Sequence, residues 1–150
     1  MQHSSDDRQD AQLLESAGHL RYFTARLRRR LNEQATAGDF SGSQGAVLSR
    51  LYNDGPATLT TLAAAEGMRP QSMSAIVAAL ESADFVHGVP DPNDGRRTIL
   101  DLTDHARERV EAARVIKNDW LFRTMKAKYS AEEQAQLMNG IELLQRLLEP

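Results

Sequence analysis

The sequence predicts a mainly α-helical fold that carries one small β-hairpin. Three observations support this prediction: apolar residues recur with helical spacing along most of the chain, aromatic residues make up only 5% of it, and one pair of extended segments brackets a turn-rich stretch. With 150 residues, 41% of them hydrophobic, the chain is long enough for one domain with a real core. We therefore expect a single domain over residues 1–150.

The first predicted helix covers residues 11–35. Gly38 fits the end of this helix, because glycine adopts the backbone conformation that closes one. The other faces of the helix carry arginines between Arg21 and Arg30, a pattern that suits phosphate contact but is more often a solvated surface. The apolar stripe of the helix steps by three and four residues through Leu13, Ala17, Leu20, Thr24, Leu27 and Leu31.

A short second helix is predicted next. Ser41 followed by Gln44 matches a capping box, and Val47, Leu48 and Leu51 supply an apolar face. The run Asn53-Asp54-Gly55-Pro56 is a dense turn signal that ends the helix. We expect a short helix that is buried on one side.

Two further helices are predicted with only a tight turn between them. Thr58 can cap a third helix over residues 59–66, and Gly67 suits its end. Pro70 is favoured at the first position of a helix, so a fourth helix is predicted to begin there. Two helices joined in this way form a helix-turn-helix.

The fourth helix has two different faces. Its inward arc is predicted to hold Met73, Ile76, Val77 and Leu80, and its outward arc Gln71, Ala75, Ala78 and Ser82. A solvent-facing helix would ordinarily carry lysine and glutamate, so small uncharged residues suggest that a partner packs closely on the outward arc.

The remaining elements are a hairpin and two long helices. Residues 85–89 and 98–102 can both be extended, and the tip between them ends in Arg96 and Arg97. A hairpin after a helix-turn-helix is the wing of a winged helix. Thr103 can cap a fifth helix that reaches Lys128. A sixth helix follows the capping box of Ser130 and Glu133, with a stripe through Leu137, Ile141, Leu144 and Leu148.

Composition excludes several classes of function. The chain has no cysteine, which removes disulfides, zinc–thiolate sites and thiol nucleophiles. The four histidines lie apart, without metal-site spacing, and neither a nucleophile elbow nor a glycine-rich phosphate loop occurs. No apolar run approaches the ~20 residues of a membrane helix, and the first ten residues are polar. We expect a cytoplasmic protein without a cofactor, a metal, a membrane contact or an enzymatic activity.

Several local motifs lie in the predicted helix-turn-helix and wing. The most specific is Asp94-x-Arg96-Arg97 before Leu100-x-Leu102-Thr103. Additional motifs are the Leu-x-x-Leu-Ala start at Leu59, Pro70 with Ser72 to Ser74, Leu80-Glu81 and Asp91-Pro92. Together with the order of the elements, these motifs resemble the MarR (multiple antibiotic resistance regulator) family across nearly the whole chain. The sequence departs from the family pattern at Ala83-Asp84, at Ala106, and around His87-Gly88, where a basic residue is usual.

The resemblance implies a homodimer that regulates transcription. Residues 11–35 and 104–148 would form the dimerisation helices, and residues 41–103 the DNA-binding lobe. The fourth helix would enter the major groove of duplex DNA at a pseudo-palindromic operator, and the wing would lie against the minor groove. Many members of the family are repressors that release DNA when a small, often phenolic, molecule binds. Arg96 matches the wing arginine of the family, and Asp94 the carboxylate that supports it.

The distribution of charge bears on whether the predicted winged helix binds DNA or another protein. The net charge of −3 and the pI of about 5.8 are not those of a strongly basic protein, and residues 60–100 hold five acids against three arginines. A winged helix that contacts protein and not DNA is therefore the alternative; rising salt should weaken DNA binding steeply, but not an apolar protein contact. The predicted DNA-binding residues are Arg69, Pro70, Gln71, Ser72, Ser74, Arg96 and Arg97.

Overall fold

The structure, a computed structural model, describes residues 3–35, 40 and 42–149. It is 76% helical with a small three-stranded antiparallel sheet, which confirms the predicted fold class. Among the described residues, no helix has both the length and the apolar character that a bilayer crossing requires. The elements are α1 (His3–Ala35), α2 (Gly42–Asp54), β1 (Ala57–Thr58), α3 (Leu59–Ala65), α4 (Pro70–Ser82), β2 (Val86–Pro90), β3 (Thr98–Leu102), α5 (Asp104–Lys128), α6 (Ala131–Gln145) and a short 3₁₀ helix (Arg146–Leu148).

The chain divides into two compact units. One unit, called here the terminal unit, combines Met1–Ala35 with Asp119–Pro150, and the other, called here the winged unit, is Thr36–Asn118. The boundary between the units falls within α5. The winged unit contains the predicted helix-turn-helix and wing.

The core of the winged unit is formed by α2, α3, α4 and the sheet, with one residue of α5. Val47 and Leu51 of α2 are fully buried, as their spacing predicts. Burial of a leucine or valine side chain contributes about 1.5–3 kcal/mol relative to exposure, so this core fixes α4 on the rest of the unit. Its members are Val47, Leu48, Leu51, Leu62, Ala63, Met73, Val77, Leu80, Val86, Leu100, Leu102 and Ala106.

The sheet has the strand order β1-β3-β2, and both pairings are antiparallel. The sequence did not predict β1, which is two residues long and too short for an alternating pattern. The first wing strand begins at Val86, one residue later than predicted. Phe85 instead belongs to the turn after α4, because its N–H donates to the carbonyl of Leu80 at 2.9 Å.

Three of the predicted helix caps are confirmed. The Thr58 hydroxyl accepts the N–H of Thr61 at 3.2 Å, and the Thr103 hydroxyl accepts the N–H of Ala106 at 3.1 Å. Ser130 and Glu133 form a complete capping box at the start of α6. Each cap satisfies helix N–H groups that have no partner within the helix. The predicted capping residue Ser41 and the predicted break around Gly38 lie outside the described residues.

Helix α1 begins at His3, earlier than the predicted start at residue 11. The first of these turns contains Asp6, whose carboxylate interacts favourably with the positive end of a helix. These turns have no apolar stripe, so the periodicity that defined the predicted helix could not detect them.

The terminal unit exposes many large apolar side chains. Within the described residues, α6 has no buried residue, and Leu148 is 88% exposed. Trp120 is half-buried, with the guanidinium carbon of Arg30 5.8 Å from its ring centroid. The exposed apolar residues of this unit are Leu13, Leu14, Tyr22, Phe23, Phe122, Tyr129, Met138, Ile141, Leu143, Leu144, Leu147 and Leu148.

Candidate nucleic-acid interface

The turn between α3 and α4 is closed by the backbone. Gly67 has a φ of +62°, a left-handed conformation that costs glycine little because it has no Cβ. The N–H of Gly67 donates to the carbonyl of Ala64 at 3.2 Å, and that of Met68 to the carbonyl of Ala63 at 2.8 Å. These bonds end α3 and let α4 begin three residues later, at Pro70.

The entrance of α4 presents Arg69 to solvent. Arg69 is the N-cap residue, with φ −71° and ψ 143°, and its side chain makes no capping hydrogen bond. Within the described parts of the chain, its guanidinium has no ion-pair partner. Pro70 occupies the first helical position, where its missing N–H costs nothing. A cation therefore lies beside the positive end of a helix, a combination suited to an anion.

The two faces of α4 agree with the helical wheel. Met73, Val77 and Leu80 are buried, and Ile76 is half-buried against the core. The exposed residues include all the predicted α4 contacts and the small residues beyond them: Pro70, Gln71, Ser72, Ser74, Ala75 and Ala78. Ser82 is exposed too, but its hydroxyl donates to the carbonyl of Ala78 at 2.8 Å.

Two aspartates close the wing tip. The Oδ1 atom of Asp91 accepts the N–H of Asn93 at 2.8 Å, and Oδ1 of Asp94 accepts the N–H of Arg96 at 3.1 Å. Both bonds are Asx turns, which fix the direction of the chain. The resemblance implies that Asp94 supports Arg96; in the structure Asp94 contacts the backbone of Arg96, and no ion pair between the two side chains is present among the described residues.

The arginines and the acids around α4 and the wing differ in the contacts that they make. Arg96 and Arg97 are exposed, and the described residues offer neither guanidinium an ion-pair partner. In contrast, Glu66 is paired with Arg50, and Asp91 and Asp94 are bonded to the backbone. Three of the five acids between residues 60 and 100 are thus engaged, whereas the three arginines are available.

The candidate residues lie at two places in one unit. Arg69, Gln71, Ser72 and Ser74 lie in the first turns of α4, and Arg96 and Arg97 lie at the wing tip. Between these places, a groove runs along α4 and β3. Such an arrangement can place a helix in one groove of a duplex and a hairpin beside the next.

Comparison with known proteins identifies the family. The model of the MarR family matches residues 40–98, which contain the helix-turn-helix and most of the wing. An uncharacterized HTH-type transcriptional regulator of Mycobacterium bovis is 32% identical over 133 residues, 89% of this chain and 92% of the relative. The chain belongs to the MarR family. The resemblance inferred from the wing motif is therefore confirmed, and this MarR family chain is a helix-turn-helix transcriptional regulator.

Solved structures have the same fold. A candidate transcriptional regulator protein of Pseudomonas aeruginosa PA01 has a TM-score of 0.77 and 32% identity, and the match covers 90% of this chain and 95% of that one. An S. aureus MepR mutant bound to an oligodeoxyribonucleotide has a TM-score of 0.62 and 23% identity, covering 89% of this chain and 98% of that one. At that identity, the MepR match supports the fold alone.

Two residues of this MarR family chain that bear on the site, Arg50 and Glu81, are not among the DNA-binding residues that the sequence predicts. Arg50 of α2 donates from Nε to Glu66 at 2.7 Å and from Nη1 to Asp54 at 3.0 Å. The hydrogen bond to Glu66, with a further contribution from Asp54, raises the pKa of Arg50. The four-residue spacing of Arg50 and Asp54 is a sequence signal for a helical ion pair, but nothing local indicates Glu66. Glu81 lines the groove beside α4, and its spacing from Ser74 could have placed it there.

Proposed function

We propose that this MarR family chain binds duplex DNA in a sequence-specific manner and represses transcription as a homodimer, acting by binding and not by catalysis. The observation that carries the proposal is the exposed, uncharged outward face of α4 between two sets of available arginines. Close approach to base edges requires small or amide side chains, and attachment to phosphates requires cations. At the entrance of α4, Gln71 supplies the amide side chain and Arg69 supplies the cation.

Helix α4 would read bases with its first turns. The amide of Gln71 matches the N6 and N7 groups of adenine, and the hydroxyls of Ser72 and Ser74 can donate or accept at several base edges. Ala75 and Ala78 leave the helix thin enough to enter a major groove. Arg69 would contact a phosphate and so fix the register of the helix.

The wing would contact the adjacent minor groove. Arg96 and Arg97 are exposed on a tip that two Asx turns hold in shape. Arginine is attracted to the negative potential of a narrow minor groove and also binds phosphates bidentately. Both contacts add affinity with little dependence on base sequence.

Dimerisation would cover the exposed apolar residues of the terminal unit. Closed two-fold dimers are the most frequent assembly of soluble proteins, and a single chain leaves Leu147 68% and Leu148 88% exposed. Two copies related by a two-fold axis would read a pseudo-palindrome with half-site centres about 10 base pairs apart. An S. aureus MepR mutant of the same fold has been solved bound to an oligodeoxyribonucleotide, which supports the DNA-binding part of the proposal.

We also propose that binding of a small-molecule effector releases the dimer from DNA. The family resemblance favours a small aromatic molecule as the effector, bound in the cytoplasm where the regulated DNA lies. The effector would act by binding the DNA-free form of the dimer more tightly than the DNA-bound form, since a ligand can shift an equilibrium only by its differential affinity.

A competition binding assay tests DNA recognition. The protein is titrated into a labelled duplex from upstream of its own gene, with a scrambled duplex as competitor, at several salt concentrations. We expect preference for the upstream duplex and an affinity that falls steeply with salt, because each neutralised phosphate releases counterions. Binding of neither duplex at low salt would contradict the proposal and favour the protein-interaction alternative.

A further inference from the structure

The groove between α4 and the wing has a charged wall. It is lined on one side by Ser74, Ala78 and Glu81 and on the other by Thr98 and Leu100, and its volume is about 250 Å³. Glu81 lies two helical turns after Ser74, so the two side chains share the wing-facing side of α4. The groove therefore lies directly beside the face proposed to read DNA.

Among the residues that the structure describes, no cation balances the charge of Glu81. Its side chain is exposed, and its carboxylate has neither a hydrogen bond nor an ion pair with the described residues. The other described residues that line the groove are uncharged. Glu81 is therefore the one charged residue among the described residues that line the groove.

On β2, the position beside Glu81 is Gly88, which has no side chain that could pair with the carboxylate. A Cβ atom at this position would lie 3.5 Å from Oε1 of Glu81, so a side chain there would reach the carboxylate. The same Cβ would lie only 2.6 Å from Cγ2 of Thr98, a distance at which the Thr98 side chain would have to move. Gly88 thus leaves Glu81 without a partner from β2, and Thr98 packs where a side chain at position 88 would begin.

The position of the groove determines what it would face in a complex. A helix in the major groove and a wing in the adjacent minor groove are separated by one sugar–phosphate strand. The groove between α4 and β3 would then face the phosphates of that strand. A carboxylate in the groove would repel these phosphates, and dissolved salt would weaken the repulsion.

We propose that Glu81 is an affinity-limiting residue: its unpaired carboxylate opposes the phosphate strand between α4 and the wing and lowers the affinity for duplex DNA. The proposal depends on DNA binding by the winged unit as proposed above. Because phosphates are the same in every sequence, the carboxylate weakens binding to all duplexes by a similar factor. Preference for the operator then depends on the base contacts of α4.

The test compares three variants with the wild-type protein. Glu81→Gln removes the charge with almost no change of shape, Glu81→Lys reverses it, and Glu108→Gln removes the charge of another exposed glutamate of the winged unit as a control. Affinity for the upstream duplex and for a scrambled duplex is measured at low and at physiological salt. Urea unfolding of each variant checks that stability is retained, and Glu81→Ala provides a second neutral variant.

The expected result is tighter binding by the Glu81 variants. Glu81→Gln should bind both duplexes roughly three- to tenfold more tightly at low salt, and the gain should shrink as salt rises. Glu81→Lys should exceed Glu81→Gln, and Glu108→Gln should stay within about twofold of the wild type, since distant exposed charges are screened.

Three other results would contradict the role of Glu81, and one of them would also contradict the proposed function. Unchanged or weaker binding of both duplexes by Glu81→Gln, with wild-type binding intact, would overturn the role of Glu81 and leave the proposed function standing. Loss of preference at one cytosine would also overturn it, because it would make Glu81 a base reader. Binding of no duplex by any variant or by the wild type would remove both proposals together.

Discussion

Arg50 donates from Nε to Oε1 of Glu66 at 2.7 Å, which connects α2 to the residue that ends α3. Glu66 comes immediately before Gly67, the residue that turns the chain toward α4. The side chains are partly buried, 35% exposed for Arg50 and 21% for Glu66. The ion pair therefore holds the helix-turn-helix turn against α2 and, through it, the position of Arg69.

We predict that Arg50 and Glu66 are coupled in stability. In a double-mutant cycle of Arg50→Gln and Glu66→Gln, urea unfolding should give a coupling energy of about 1 kcal/mol, as expected for a partly shielded charged hydrogen bond. Arg30 and Glu33 form a matched control, since their bond is 3.0 Å long but the side chains are 60% and 50% exposed. That control cycle should give only about 0.3–0.5 kcal/mol. Equal coupling in the two cycles would contradict the structural role of Arg50.

We predict a dimer that depends on the apolar face of α6. Ile141→Asp should weaken dimerisation by at least about tenfold, because it would place a charge in an apolar interface. Val89→Asp is the matched control, since Ile141 and Val89 are both 45% exposed but Val89 lies on the wing. Sedimentation at micromolar concentration measures both. A folded wild-type monomer at that concentration, or equal effects of the two substitutions, would contradict the prediction.

The sequence predicted the elements that have strong local signals. The stripe of α4 and the turn residues Gly67 and Pro70 placed the helix-turn-helix, and the caps at Thr58 and Ser130 were correct because each is a short-range pattern. The first turns of α1 were missed because they have no apolar periodicity. Strand β1 was missed because Ala57 and Thr58 are extended only through pairing with Leu100 and Ile99.

The sequence predicted the positions of the candidate site residues correctly, but it did not predict which groups they contact. Arg69, Gln71 and Arg96 are exposed where the element order predicts. However, the partner of Asp94 is a backbone N–H, and the closeness of Glu81 to Gly88 arises from the packing of β2 and β3 beside α4. Contacts between residues on different elements depend on that packing, which leaves no short-range signal in the sequence.

We predict that Arg96 and Gln71 contribute differently to DNA binding. Arg96→Ala should weaken binding to all duplexes and lower the salt slope by about one unit if it neutralises one phosphate. Gln71→Ala should instead relax preference at one base pair, by about 1–3 kcal/mol if the amide binds adenine bidentately. Competition binding at several salt concentrations separates the effects. Unchanged affinity and preference in both variants would remove the proposed mode of DNA reading.

We predict that Asp94 supports the wing through its hydrogen bond and not through its charge. Asp94→Asn keeps an oxygen that can accept the N–H of Arg96, so its affinity for DNA should equal or slightly exceed that of the wild type. Asp94→Ala removes the acceptor, loosens the tip and should lower the affinity. Equal losses for Asn and Ala in the same binding assay would instead indicate that an ion pair with Arg96 forms in the complex.

The contact between Gly88 and Thr98 gives the most specific prediction about stability. A methyl group at position 88 would lie 2.6 Å from Cγ2 of Thr98, so Gly88→Ala should lower the free energy of unfolding by about 1–3 kcal/mol, as overpacking does. Thr98→Ser deletes that Cγ2 atom and keeps the hydroxyl. The double variant should therefore recover most of the loss, whereas Thr98→Ser alone should have a small effect. Urea unfolding of the three variants measures the cycle. If the losses of Gly88→Ala and Thr98→Ser simply add, the two residues do not meet across the wing as described.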